Sequence, residues 1–142
     1  MRFLLARYAG TVAVAVVAGS CAVPPSQPGP ADVHVTIACT NGPVNVTVNG
    51  WVIHRRPTNG VRIRFSGGGG GISSVAITPK DPARWDFDPQ PTAGSYTIED
   101  NGDLDLSVNQ GASGLYRYTI AGQCTSGGVT NSITIDPDIV VD

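Results

Sequence analysis

The densest group of side chains able to do chemistry is acidic. Glu99-Asp100-Asn101-Gly102-Asp103-Leu104-Asp105 carries four acids in seven residues around a turn, and such oxygens are the hard ligands that calcium takes. Asp100, Asp103 and Asp105 are therefore candidate metal ligands, with Asp136 and Asp138 available to complete a site. The spacing is not that of the twelve-residue EF-hand loop. Alternation also sends Asp103 and Asp105 outward beside inward Leu104 and Leu106, the pattern of any solvated hairpin.

A second group is basic. If residues 50–65 form a hairpin, Arg55, Arg56, Arg62 and Arg64 make a ribbon suited to an anionic headgroup, a polysaccharide or an acidic partner. Charges along an exposed strand also serve simply to prevent edge-to-edge aggregation. With the ribbon go the aromatics Trp51, Trp85 and Tyr96 and the five glycines 67–71, which together are the expected binding surface. The glycine run lacks the Lys-Ser/Thr ending of a phosphate-binding loop and reads as a long hairpin tip. His34 and His54, the two histidines, fall in strands on the faces opposite the larger apolar residues. No Gly-x-Ser-x-Gly elbow is present. No catalytic residue, no cofactor and no enzymatic activity are expected.

The three cysteines divide by position. Cys21 ends a leader made of Arg2 and Arg7, an apolar or weakly polar run 8–19, and small residues, which is the pattern of a signal peptide over 1–20. That run is short of the roughly 20 residues needed to span a bilayer. Val17-Ala18-Gly19-Ser20-Cys21 resembles the bacterial lipobox, which makes Cys21 a candidate lipid anchor followed by a Pro-rich linker over 21–31. Cleavage after Ser20 or Ala22 without lipidation is the alternative. Export places the chain in the periplasm, on the outer membrane as a lipoprotein, or outside the cell. In such compartments Cys39 and Cys124 can form a disulfide across 85 residues, worth about 4 kcal/mol by loop entropy. Losing Arg2 and Arg7 leaves 7 cations against 11 acids, a net charge of -4, which offers no general attraction to nucleic acid.

These groups must be positioned by short strands. Charged residues are only 14% of the chain, and it holds 18 glycines and 11 prolines, so turns are frequent. Strands are expected over 33–39, 44–48, 61–65, 72–78, 96–98, 104–108, 115–121 and 133–141. Residues 51–54 either follow a reversal at Asn49-Gly50 or continue the preceding strand through a bulge. Residues 78–94, with four prolines, read as a long crossover whose Trp85 and Phe87 cap one end of the core, with a helical turn near Pro82. Asn101-Gly102 predicts a hairpin turn. The fold class expected is all-β: a two-sheet Greek-key sandwich of seven to nine short strands over 32–142, with a small barrel as the alternative.

Cys39, Trp51 twelve residues on, and Cys124 resemble the pattern of immunoglobulin-like sandwiches. Tyr118 lies six residues before Cys124 rather than two, so the bridge would join different strands. Tyr116-Arg117-Tyr118-Thr119-Ile120 and the closing run 133–141 resemble small exported cupredoxin-like domains. Those hold copper through two histidines, a cysteine and commonly a methionine. Here the one methionine is Met1 and no histidine follows His54, so the resemblance implies architecture alone. The expected partner is a protein or glycan surface, reached with or without a lipid anchor. Self-association as a structural subunit of the envelope or of an extracellular filament is an alternative, and a small calcium-binding domain is another.

Overall fold

The computed structural model describes residues 31–39, 44–68 and 71–142. The leader, Cys21 and the linker up to residue 30 lie outside the described residues. The rest of the chain forms strands because β-branched and aromatic residues alternate with polar ones between glycine- and proline-rich turns. One mixed sheet holds β1 (Val33–Ala38), β2 (Asn45–Asn49), β4 (Gly60–Gly68), β6 (Phe87–Asp88) and β8 (Asp103–Val108), in the order β2-β1-β4-β8-β6. The other holds β3 (Val52–Arg55), β5 (Ser74–Pro79), β7 (Tyr96–Glu99), β9 (Gly114–Ser126), β10 (Val129–Ile135) and β11 (Asp138–Val141). Its order is β3-β11-β9-β5-β7, and β10 continues along the β11 side of β9.

The described residues thus contain eleven strands in an all-β, two-sheet sandwich, more than the seven to nine expected. Three differences account for the count. β6 has two residues among prolines, too few to alternate. β3 is separate from β2. The thirteen-residue β9 doubles back through Gly127 and Gly128, both at positive φ, into β10; this is a two-residue hairpin of the kind glycine pairs favour.

From β3 to β9 each successive strand changes sheet. Two expected hairpins are therefore crossings. Asn101-Gly102 joins β7 in one sheet to β8 in the other. Residues 50–65 likewise part company, since β3 pairs with β11 while β4 lies between β1 and β8. The chain leaves β2 for β3 at Gly50, whose φ is +85° and where a Cβ would stand 2.3 Å from the Asp32 carbonyl oxygen. No other residue fits that kink. The glycine run is also partly strand: Gly67 and Gly68 pair with Ile37 and Ala38 of β1.

Inward faces meet in one core. β1 buries Val33, Val35 and Ile37; β4 buries Val61, Ile63 and Phe65; β9 buries Tyr116, Tyr118 and Ile120. Each such side chain stabilises the fold by about 1.5–3 kcal/mol through removal from water. The disulfide Cys39–Cys124 ties the end of β1 to β9, and so one sheet to the other, with Cα atoms 5.9 Å apart.

Candidate binding surface

The sequence-nominated arginines and aspartates meet each other. Antiparallel pairing of β4 with β8 sets Arg62 opposite Asp105 and Arg64 opposite Asp103, and alternation turns all four outward. Arg62 donates to Asp105 from Nε at 2.6 Å and from Nη2 at 3.0 Å. Arg64 donates to both oxygens of Asp103 at 2.7 Å. These forks raise both guanidinium pKa values, and the Arg64 hydrogen bond holds Asp103 below its ordinary range. Asp100 is occupied elsewhere, its Oδ1 accepting the Gly67 N–H at 2.5 Å.

The expected calcium site is therefore not formed. Asp103 and Asp105 face arginines, Asp100 anchors β4, and Asp136 sits with Lys80. Among the described residues no group of three or more His, Cys, Asp or Glu could hold a metal ion. The expected basic ribbon is also absent: Arg62 and Arg64 are neutralised in one sheet, while Arg55 on the other ion-pairs with Asp32 and donates to the Gly60 carbonyl at 3.1 Å.

Trp85 and Tyr96 are interior residues, 4% and 8% exposed, and are removed from the binding surface. Trp85 Nε1 donates to the Tyr96 hydroxyl at 2.9 Å, which donates to the Pro89 carbonyl at 2.6 Å. Polar satisfaction on this scale is what permits their burial. Trp85 stacks obliquely on Phe87 at 4.5 Å, and Phe87 meets Tyr116 edge-on at 5.0 Å, so the crossover aromatics do close one end of the core. Trp51 remains 50% exposed at the bend into β3. Arg56 is exposed beside a shallow groove of about 680 Å³ that also takes in His54, Thr58, Asn59 and Asp142. His54 Nδ1 lies 3.1 Å from Asp142 Oδ2, while His34, on the other sheet, meets Ser66 Oγ at 3.0 Å. The two histidines do not form a pair.

A more enclosed cleft was not nominated from the sequence. It lies between the 3-10 turn Pro82–Arg84 and the start of β9, has a volume of about 490 Å³, and is lined by Lys80, Asp81, Arg84, Trp85, Leu115, Tyr116 and Arg117. The Lys80 N–H donates to the Arg117 carbonyl at 2.9 Å, which fixes the turn against β9. Lys80 Nζ pairs with Asp136 at 2.9 Å, and Thr119 donates to the same carboxylate at 2.8 Å; both hold Asp136 below its ordinary pKa. On the floor, the Tyr116 hydroxyl donates to Asp86 at 2.8 Å, and burial raises its pKa. Arg84 and Arg117 are exposed and have no ion-pair partner among the described residues, and Leu115 beside them is 44% exposed. The outward direction of Leu115 and Arg117 follows from inward Tyr116 and Tyr118. Their approach to Arg84 depends on tertiary pairing.

No family model matches the chain, and no curated protein matches it. Among solved structures it is similar to the N-terminal domain of phage TP901-1 ORF48, at 11% identity, with 77% of this chain and 98% of that one covered and a TM-score of 0.30. It is also similar to copper nitrite reductase from Nitrosomonas europaea, at 16% identity and a TM-score of 0.31, over 80% of this chain and half of that one.

Proposed function

We propose that this chain is an exported, non-enzymatic sandwich module that binds the acidic groups of a protein or glycan surface. The observation that carries this reading is the cleft at Arg84 and Arg117, where two exposed guanidinium groups have no ion-pair partner among the described residues and lie beside an exposed leucine. Guanidinium forks match carboxylate geometry and are weakly hydrated, and the apolar neighbour adds contact area.

Export, and lipidation at Cys21 in the periplasm-facing or outer-membrane form, belong to the same reading and rest on the leader pattern. So does the finer fold assignment, a Greek-key sandwich of immunoglobulin-like or cupredoxin-like type. The intact mass of the native protein tests the first point. A mature chain starting at a diacylglycerol-modified Cys21 is expected for the anchored form, whereas a chain retaining Met1 would contradict export. The binding reading is tested on immobilised polyuronate and polyglutamate at low ionic strength. The Arg84→Ala, Arg117→Ala double variant is expected to elute from the preferred matrix at distinctly lower salt. Unchanged elution, or no retention of the parent protein on either, would overturn the assignment of the cleft.

A further inference from the structure

The two flanks of the sandwich differ in how their edge strands end. On one flank the edges are β6 and β7. β6 is two residues long and runs into Pro89, and β7 is four residues long and ends in Glu99. Shortness, proline and charge are the devices that stop an edge from pairing with another chain. On the other flank the edges are β2, β3 alongside β11, and β10 where it continues past β11 along β9. β2 reads Asn-Val-Thr-Val-Asn and β10 reads Val-Thr-Asn-Ser-Ile-Thr-Ile. Neither contains a charged residue or a proline. Among the described residues β10 pairs only with β9, so the alternate backbone groups along its second edge are open over a seven-residue strand holding β-branched Val129, Thr130, Ile133, Thr134 and Ile135.

We infer that β10 pairs antiparallel with β10 of a second copy of this chain, about a two-fold axis at Ser132. The cleft at Arg84 plays no part in this. In that register Val129 faces Ile135, Thr130 faces Thr134, and Asn131 faces Ile133. The pairs keep the sides already present in the fold, because Val129 and Asn131 share the side of β10 that carries buried Ile133. Val129 is 59% exposed there, and the second copy's Ile135 covers it. No like charges come opposite each other anywhere along the seam, although the domain as a whole is acidic. A self-complementary strand at a symmetry axis gives a closed dimer through an isologous contact. A second copy is favoured over a heterologous acidic or basic peptide because the edge offers such a peptide no charge to pair with.

The test is sedimentation velocity of the full-length oxidised protein from low to high micromolar concentration, on the parent and on Ser132→Lys. That substitution sets two ammonium groups face to face at the axis while leaving the core-facing side chains alone. Ser107→Lys, on β8 between β4 and β6, is the control for an added charge on a strand paired at both edges. The parent and control are expected to dimerise with concentration, and Ser132→Lys to raise the dimer dissociation constant by about tenfold or more. Should Ser132→Lys misfold, Ser132→Cys in a Cys21→Ser background serves instead, and is expected to give a disulfide-linked dimer under mild oxidation that Cys21→Ser alone does not give. A parent that stays monomeric throughout overturns the inference, whether its edge is covered by residues 1–30 or by a different protein. A dimer that Ser132→Lys leaves intact, or that Ser132→Cys fails to cross-link, overturns it too.

Discussion

The flank bearing β2 and β10 and the flank bearing β6 and β7 solve the same problem by different means. The β6/β7 flank is held by packing: Trp85, Phe87, Tyr96 and Tyr116 interlock, and the two polar aromatic tips of Trp85 and Tyr96 are hydrogen-bonded. Its edge strands are short, and each carries an acid, Asp88 in β6 and Glu99 in β7. The β2/β10 flank has no such aromatic cluster among the described residues. It is held instead by the disulfide, for Cys39 follows β1, the neighbour of β2, and Cys124 lies opposite Asn131 of β10. A covalent tie at that position joins the two sheets beside the uncharged strands β2 and β10. Aromatic packing and the covalent tie thus lie on opposite flanks of the molecule.

Breaking either tie sharpens the contrast. The largest effect is expected from Cys39→Ser with Cys124→Ser. Opening an 85-residue loop should lower unfolding free energy by about 4 kcal/mol, measured by denaturant titration, and should leave the native aromatic near-UV signal intact at low denaturant. Next, Phe87→Ala should cost about 3–4 kcal/mol, because the residue is wholly buried between Trp85 and Tyr116. It should loosen the β6/β7 flank first, seen as faster amide exchange in β7 than in β10. A smaller effect of opposite sign is expected at Tyr118. Its hydroxyl is buried with no hydrogen-bond partner among the described residues, and burial pushes its pKa far above the ordinary range. Tyr118→Phe should therefore raise stability by up to about 1 kcal/mol.

The smallest expected effect is on pH dependence. Asp103 is held low by Arg64, and Asp136 by Lys80 and Thr119. A carboxylate with a depressed folded-state pKa binds fewer protons folded than unfolded between the two pKa values. Its contribution is thus complete above the unfolded value near 3.8 and is lost as pH falls through the folded value. Arg64→Gln should flatten the acid side of the stability curve below about pH 4, as read by thermal melts across that range. An unaltered acid limb would mean that Asp103 is not coupled to folding through Arg64.

Much of the local structure was legible from alternation. The strands around Val33, Val61 and Tyr96, the single turn after Asp81, and the pairing of Cys39 with Cys124 all appear where the residues suggested. Sheet membership was not, because it is decided by contacts between residues far apart in the chain. Asn101-Gly102 specifies a sharp bend and nothing about whether the next strand stays in the same sheet. The Arg-x-Arg of β4 and the Asp-x-Asp of β8 lie about forty residues apart, so their neutralisation follows only from their register. The same holds for Arg84 and Arg117. Gly127-Gly128 is different: a glycine doublet between alternating runs is a hairpin signal that the local pattern did contain.

Hydrogen exchange at the two flanks, recorded at low and high protein concentration, tests the central contrast most directly. The β10 amides that do not donate to β9 should exchange quickly in dilute solution and slow as concentration rises, while those of β7 stay unchanged. Protection of the β10 edge that is the same at every concentration, or a concentration dependence confined to β7, would contradict the account.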